Sequence, residues 1–280
     1  MPNPIADPLV ELPDTSPTSG LVRTEATMDG AVTVFLNRPE RKNAFHADLI
    51  SALSDVFETL HGAEGVRVVF LRGEGGAFSA GADLEWMREA MTLTEADNRA
   101  DAMAMAVMLK RLWDLPALTV ALVEGAAFGG GAGLAAVCDL AVATRAARFS
   151  FSEVRLGLIP ATVSPYVVAA IGPRAARGLF ASGRVFDADE ALRIGLLTEV
   201  VADAAALDGA HERIAREALA CAPGAMEAAK RLVDDVAGKE IDHGLMEETA
   251  RRIAAIRVSE EGQEGVRAFL ERRRPAWGPG

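Results

Sequence analysis

Two glycine-rich runs and one glutamate carry the clearest chemical signal in this sequence. The first run is Gly73-Glu74-Gly75-Gly76-Ala77-Phe78-Ser79-Ala80-Gly81-Ala82-Asp83, and the second is Glu124-Gly125-Ala126-Ala127-Phe128-Gly129-Gly130-Gly131-Ala132-Gly133. Each follows an apolar run with strand character and leads into helical spacing, which puts free backbone N–H groups at the positive end of a helix. Such groups can receive an anion, or an oxygen that gains negative charge during a reaction, and glycine lets the ligand come close. One Gly-rich turn is weak evidence, because most are only turns. Two at the ends of neighbouring strands say more, because two donors converging on one oxygen need that placement.

The glutamate is Glu153, in the alternating run Phe149-Ser150-Phe151-Ser152-Glu153-Val154, ahead of the apolar turn Leu156-Gly157-Leu158-Ile159-Pro160. A Glu among apolar residues acquires a raised pKa and can act as acid or base near neutrality. The competing reading is a salt-bridged Glu held by Arg155 or Arg148, and the segment alone does not separate the two.

Other chemistries fit the residues poorly. Gly76-Ala77-Phe78-Ser79-Ala80-Gly81 has the wrong spacing for a nucleophile elbow. Gly131-x-Gly133-x-x-Ala136 matches a dinucleotide fingerprint after a strand, but the next short strand ends at Thr144-Arg145 with no ribose-binding acid. No P-loop pattern is present. His46, His61, His211 and His243 lack metal-like spacing and are expected in ordinary surface roles, so no metal is expected.

These loops need elements to hold them. The 280-residue chain is 50% hydrophobic and 25% charged, the composition of a soluble globular protein with a sizeable core. Few aromatics and much Ala and Gly require close packing of small side chains. A net charge of -11 argues against nucleic-acid binding, while leaving room for a local basic cluster that meets an anionic small molecule. Cys138 and Cys221 have no metal-ligand spacing and form no disulfide framework, which suits a reducing cytoplasm. No signal-peptide pattern opens the chain. The apolar stretch 117–143 contains Glu124, Asp139 and three consecutive glycines, so it is not read as a membrane span.

Residues 1–19 hold Pro2, Pro4, Pro8, Pro13 and Pro17 and read as a disordered or loosely packed tail. Strands are predicted at Ala31–Leu36, Val66–Leu71 and Leu118–Val123, with helices at Ala47–Leu60 and Ala96–Trp113. Apolar strands without alternation, separated by helices, indicate a parallel sheet covered on both faces. After Ile159 the strands fade, and helices are predicted at Pro165–Ile171, Arg174–Ala181, Ala188–Ile194, Ala205–Ala220, Ala225–Val236, Glu247–Ile256 and Glu260–Arg273. The fold class is α/β, with a core over 20–200 and a helical part over 201–280.

Several stretches, taken in order, resemble the enoyl-CoA hydratase/isomerase (crotonase) superfamily from about Leu21 to the C-terminus. They are Leu36-Asn37-Arg38-Pro39-Glu40-Arg41-Lys42-Asn43-Ala44-Phe45, Ala77 to Leu84, Glu124 to Gly131, Cys138-Asp139-Leu140, Phe151 to Pro160, and Ala191-Leu192-Arg193-Ile194-Gly195-Leu196-Leu197. The resemblance implies a crotonase-like spiral of ββα units whose helical C-terminal region assembles trimers or dimers of trimers. It implies an acyl-CoA thioester as substrate, with coenzyme A present as part of that substrate and no separate cofactor. The thioester oxygen would take hydrogen bonds from the N–H groups of Ala82 and Gly130. Ala44, Ala80, Asp83, Leu84 and Gly129 would line the substrate site, with Arg41 or Lys42 meeting phosphate and Phe269 covering the adenine end from the last helix.

The sequence departs from the family pattern at one position. Typical hydratases carry two glutamates, one just after the glycine triplet and one at the position of Glu153. Here the first position is Gly133 and the second is retained. Three readings follow: a hydratase in which Glu153 performs both proton transfers, a Δ3-Δ2 isomerase using the same glutamate, or a non-catalytic acyl-CoA binder. Finer resemblance favours the hydratase. Ala126 to Leu134, Ser152 to Ala161, Ser164-Pro165-Tyr166-Val167-Val168, Asp83 to Met87 and the late Glu261-Gly262-x-Glu264-Gly265 look like bacterial methylglutaconyl-CoA hydratases of leucine catabolism, a group similar in lacking the first Glu. For a dicarboxylic acyl chain, Arg155 is the candidate partner of the distal carboxylate.

Overall fold

The computed structural model describes residues 20–278, so the proline-rich tail at 1–19 lies outside the described residues. Strands β1 (Val22–Ala26) and β2 (Ala31–Leu36) form an antiparallel pair, followed by helix α1 (Ala47–Gly62). Strand β3 (Val68–Gly73) lies parallel to β2 and leads through the first Gly-rich loop into α2 (Leu84–Ala90) and α3 (Glu95–Trp113). Strands β4 (Leu118–Val123) and β5 (Ala126–Phe128) precede α4 (Gly130–Val137), and β6 (Leu140–Thr144) and β7 (Arg148–Ser150) precede α5 (Ser164–Ser182). Then come β8 (Val185–Asp187), α6 (Ala188–Ile194) and β9 (Glu199–Val201).

The strands form two sheets. The larger has the order β1-β2-β3-β4-β6-β9 and is parallel from β2 onward; the smaller has the order β5-β7-β8. The units β4-β5-α4 and β6-β7-α5 each lay one strand in the large sheet and one in the small sheet before their helix, which produces the spiral. For β3, the place in the second sheet is taken by Ser79, bridged in parallel to Ala127.

Both faces of the large sheet are covered, which is why its strands show no alternation. On one face Val69, Leu71, Ala121 and Val123 pack with residues of α1, α3, α4 and α5. On the other, Val68, Phe70, Val120, Leu122 and Val142 pack against Leu207, Ala210, Ile214 and Ala218 of α7 (Ala204–Leu219).

Beyond Val201 the described chain is helical: α7, α8 (Pro223–Val236), α9 (His243–Val258) and α10 (Glu260–Leu270). Helices α8 and α9 bury no residue, and α10 buries only Ala268. Two basic residues pin this region to the core. Lys230 of α8 donates to the carbonyls of Leu115 and Ala117 and pairs with Asp139. Arg67, just before β3, donates to the carbonyls of Leu219, Cys221 and Trp277. No described helix is long and apolar enough to cross a membrane.

The sequence expectation that strands fade after Ile159 is corrected by β8 and β9. Each has three residues, too short for periodicity to register. The two helices expected at Pro165–Ile171 and Arg174–Ala181 are both present within Ser164–Ser182, divided at Gly172, whose φ of 73° and ψ of 161° ahead of Pro173 leave helical geometry.

Candidate active site

The first Gly-rich loop is held by the segment that follows β2. Asn43 is fully buried; its amide donates to the carbonyls of Glu74 and Ala77, and its oxygen accepts from the Arg38 N–H. The Ser79 hydroxyl donates to the Asn43 carbonyl at 2.8 Å, and the Ala80 N–H donates to the Lys42 carbonyl at 2.9 Å. From the start of the same segment, Arg38 donates to the Ala44 carbonyl at 2.7 Å and forms an ion pair with Asp83 at 3.0 Å. Asp83 also caps α2 by accepting from the Glu85 N–H. Burial works against its charge, but the Glu85 N–H and the Arg38 guanidinium outweigh it and hold the carboxyl below the usual carboxylate range.

This scaffold aims one N–H. Phe45 donates to the Gly81 carbonyl at 2.7 Å and accepts from the Asp83 N–H at 2.8 Å, a parallel bridge centred on Ala82. In extended backbone the N–H between two such bonds points the other way. The Ala82 N–H therefore faces away from Phe45, and it finds no acceptor among the described residues.

The second Gly-rich loop lies alongside the first. A Cβ placed on Gly81 would stand 2.9 Å from the Phe128 carbonyl oxygen, so the two backbones touch. The Phe128 N–H donates to the Ser79 carbonyl, and the Gly129 N–H to the Ser150 carbonyl. Gly129 adopts φ 49°, ψ -118°, a conformation open to glycine alone, and from it α4 starts at Gly130. The Gly130 N–H belongs to the unpaired first turn and likewise has no acceptor among the described residues. Two neighbouring parallel strands thus deliver two free N–H groups to adjoining loops.

Glu153 completes the cluster. It opens a 3-10 turn, Glu153–Leu156, closed by left-handed Gly157, and its carbonyl accepts from the Leu158 N–H. Its Oε1 lies 2.9 Å from where a Cβ on Gly129 would sit, so the carboxylate rests on the bare face of that glycine. Its Oε2 is buried with no hydrogen-bond partner. Burial pushes the Glu153 carboxyl up, with only a partial offset from the hydrogen bond of its own N–H. Of the two sequence readings for this residue, the salt-bridged one is corrected: neither Arg148 nor Arg155 pairs with it. Arg148 donates to the carbonyls of Arg145, Ala146 and Ala147, and Arg155 is exposed and lies over Gly183.

The structure brings Ala82, Gly129, Gly130 and Glu153 together and distributes the remaining candidates around them. Ala44 is buried beneath the first loop, Ala80 is half-buried within it, and Leu84 is exposed at the start of α2. Arg41 and Lys42 are exposed on the same side of the scaffold, Arg41 beside Glu85 at 3.3 Å. Asp83 is a correction: 5% exposed and engaged by Arg38 and the helix cap, it is part of the scaffold and not a group free for substrate. Phe269 is exposed on α10, which packs on α8 and α9 and not on this cluster.

Two histidines also correct the sequence reading. His46 caps α1, its Nδ1 accepting from the Leu49 N–H. His211 is half-buried against Phe70 and Thr33. Sequence reasoning passed over Arg38, Asn43 and Ser79 as positioning groups. Ser79 lies inside the Gly-rich run, but Arg38 and Asn43 stand on a separate segment ahead of α1, and nothing local in the sequence ties them to the loop.

The chain matches the enoyl-CoA hydratase/isomerase family over residues 27–279. The crystal structure of an enoyl-CoA hydratase from Shewanella pealeana superposes with a TM-score of 0.88 at 39% identity, covering 92% of this chain and 96% of that one. AtuE of Pseudomonas aeruginosa gives 0.88 at 36%, covering 92% and 100%. The human mitochondrial methylglutaconyl-CoA hydratase is 32% identical over 255 residues, 89% of this chain and 74% of its own length. With two adjoining donor loops, one carboxylate and these likenesses, the chain belongs to the enoyl-CoA hydratase/isomerase (crotonase) family of enzymes.

Proposed function

We propose that this protein adds water to a short or branched 2-enoyl-CoA of the methylglutaconyl-CoA kind. The observation that carries this reading is the contact of Glu153 with Gly129, beside the free N–H groups of Ala82 and Gly130. The thioester oxygen takes hydrogen bonds from both donors, which draws electron density from the double bond and holds the enolate that forms. Glu153, ionised, removes a proton from water as the oxygen bonds to the β-carbon and the π pair moves toward the thioester oxygen. The protonated carboxyl then returns that proton to the α-carbon, so one water is added and the enzyme is restored. A carboxyl with a raised pKa suits both halves of this cycle. The name of the human relative supports the choice of acyl group.

The exposed Arg41 and Lys42 supply positive charge for the coenzyme A phosphates, and Phe269 an apolar surface for its adenine. The working assembly in this proposal is a trimer or dimer of trimers. Ile241, Val258 and Phe269, 83%, 78% and 82% exposed in the single chain, support it. Free Cys138 and Cys221 fit a cytoplasmic setting. Because the cluster has one carboxylate, a second reading is proton transfer along a 3-enoyl chain by Glu153 without water addition.

The deciding experiment follows the conjugated enoyl-thioester absorbance with 3-methylglutaconyl-CoA, crotonyl-CoA and a 3-enoyl-CoA, for wild type and Glu153→Gln. Hydration of a 2-enoyl substrate is expected, with a loss on the order of 10⁴-fold or more in the variant, since two proton transfers worth ~10²–10⁴ each depend on one group. Turnover of the 3-enoyl substrate alone would replace hydratase by isomerase. Tight thioester binding without any turnover would leave a binding protein.

A further inference from the structure

The face of α4 that carries the site is closed by a residue on the Glu153 segment. Position 133 lies one turn beyond Gly129, its N–H donating to the Gly129 carbonyl at 3.0 Å, so a side chain there would project beside the glycine on which Glu153 rests. The space is already filled. A Cβ on Gly133 would stand 2.1 Å from Val163 Cγ1, 2.5 Å from its Cβ and 3.3 Å from its Cγ2. Val163 is 2% exposed in the main core and directly precedes α5, whose Val167 N–H donates to the Val163 carbonyl. Ten residues after Glu153, it joins the carboxylate-bearing segment to the helix that presents the Gly130 N–H.

We infer that Val163 is the residue that restricts this site to a single carboxylate: its isopropyl group occupies the volume that a second acid on α4 would require, and it sets the register between the Glu153 segment and the oxyanion helix. The inference deepens the hydratase reading and rests on it for its chemical meaning. Water addition needs one proton taken and one given. With position 133 closed, both transfers fall to Glu153, and the second acid cannot be regained by changing residue 133 alone. Val163 acts through packing and is a positioning residue.

The test is a pair of double-mutant comparisons on the full chain. Gly133→Ala should lower Tm by roughly 2–12 °C, the usual effect of overpacking in a chain of this size. In a Val163→Ala background the same change should leave Tm level or raise it. Gly133→Glu should fold only when combined with Val163→Gly. The folded double variant should add a second ionisation to the pH profile of kcat/KM for 2-enoyl-CoA hydration, which a purely structural role for Val163 would not produce.

Three outcomes would overturn the inference: an equal Tm loss from Gly133→Ala in both backgrounds, a Gly133→Glu single variant with wild-type Tm, or a folded Gly133→Glu/Val163→Gly protein that keeps one unchanged ionisation. Should the wild type hydrate no enoyl thioester, the hydratase reading fails separately, and the thermal comparison still decides whether Val163 fills the second position.

Discussion

Replacing Arg38 with Met tests whether the buried ion pair beneath the first loop sets the Ala82 donor. The change deletes two contacts, the 2.7 Å hydrogen bond to the Ala44 carbonyl and the 3.0 Å pair with Asp83, and keeps most of the side-chain bulk. Asp83 is 5% exposed, so its charge is left with one N–H partner, that of Glu85. Breaking a buried pair from one side costs about 3–5 kcal/mol. At about 2–4 °C per kcal/mol for large domains, Tm should fall by roughly 6–20 °C. The Phe45–Ala82 bridge sits between the two lost contacts, and misplacing one oxyanion donor costs ~2.7–4 kcal/mol, a factor of ~10²–10³ in kcat. Scanning fluorimetry and enoyl-thioester absorbance read the two effects. Arg38→Met/Asp83→Leu should regain more than half the lost Tm, the remainder including about 1 kcal/mol for the missing α2 cap. A single variant within ~2 °C of wild type would refute the clamp, and a large Tm loss with unchanged kcat would refute its link to Ala82.

Two further outcomes are expected. Because burial raises the Glu153 pKa, kcat/KM for hydration should climb with pH through that raised value, where the carboxylate becomes free to act as base. The stability sign is opposite: the folded state holds this proton more tightly than the unfolded chain, so stability is greatest below the ordinary carboxylate pKa and falls until pH passes the raised one. Glu153→Gln should therefore be at least as stable as wild type near neutrality and lose that advantage in acid, as thermal melts across pH would show. Gly129→Ala should lower kcat by 10-fold or more, with ~1–3 kcal/mol of backbone strain in a denaturant melt, because its φ of 49° disfavours a side chain and the new methyl would meet Glu153 Oε1. A variant with wild-type kcat and stability would mean the carboxylate does not rest there.

Much of the architecture was legible before any coordinates. The strands of β2, β3 and β4 announce themselves as unbroken apolar runs because helices cover both of their faces. The Gly-rich runs stand out for a physical reason: backbone that approaches backbone, as Gly81 does Phe128, excludes a Cβ. Glu153 was visible as a charge in an apolar setting. What the sequence hid was long-range. Strands β5, β7, β8 and β9 have three residues each and exist through pairing, not propensity. Asp83 looked available for a ligand because nothing local reveals Arg38, 45 residues away, as its partner. The closure of position 133 by Val163 joins residues 30 apart on different elements, and neither residue type marks the contact.

The proposed site divides its labour between two kinds of group, and they differ in how heredity can reach them. The two donors at Ala82 and Gly130 are main-chain N–H groups, present whatever side chain a codon specifies, proline excepted. The proton-transferring half hangs on one carboxylate, which a single nucleotide change can remove. A lineage built on this plan can lose or exchange its reaction in one step and still grip an activated carbonyl. Mutation would therefore first explore new chemistry on an old grip, and residues that pack against Glu153, Val163 among them, mark where a changed reaction would leave its trace in the genome.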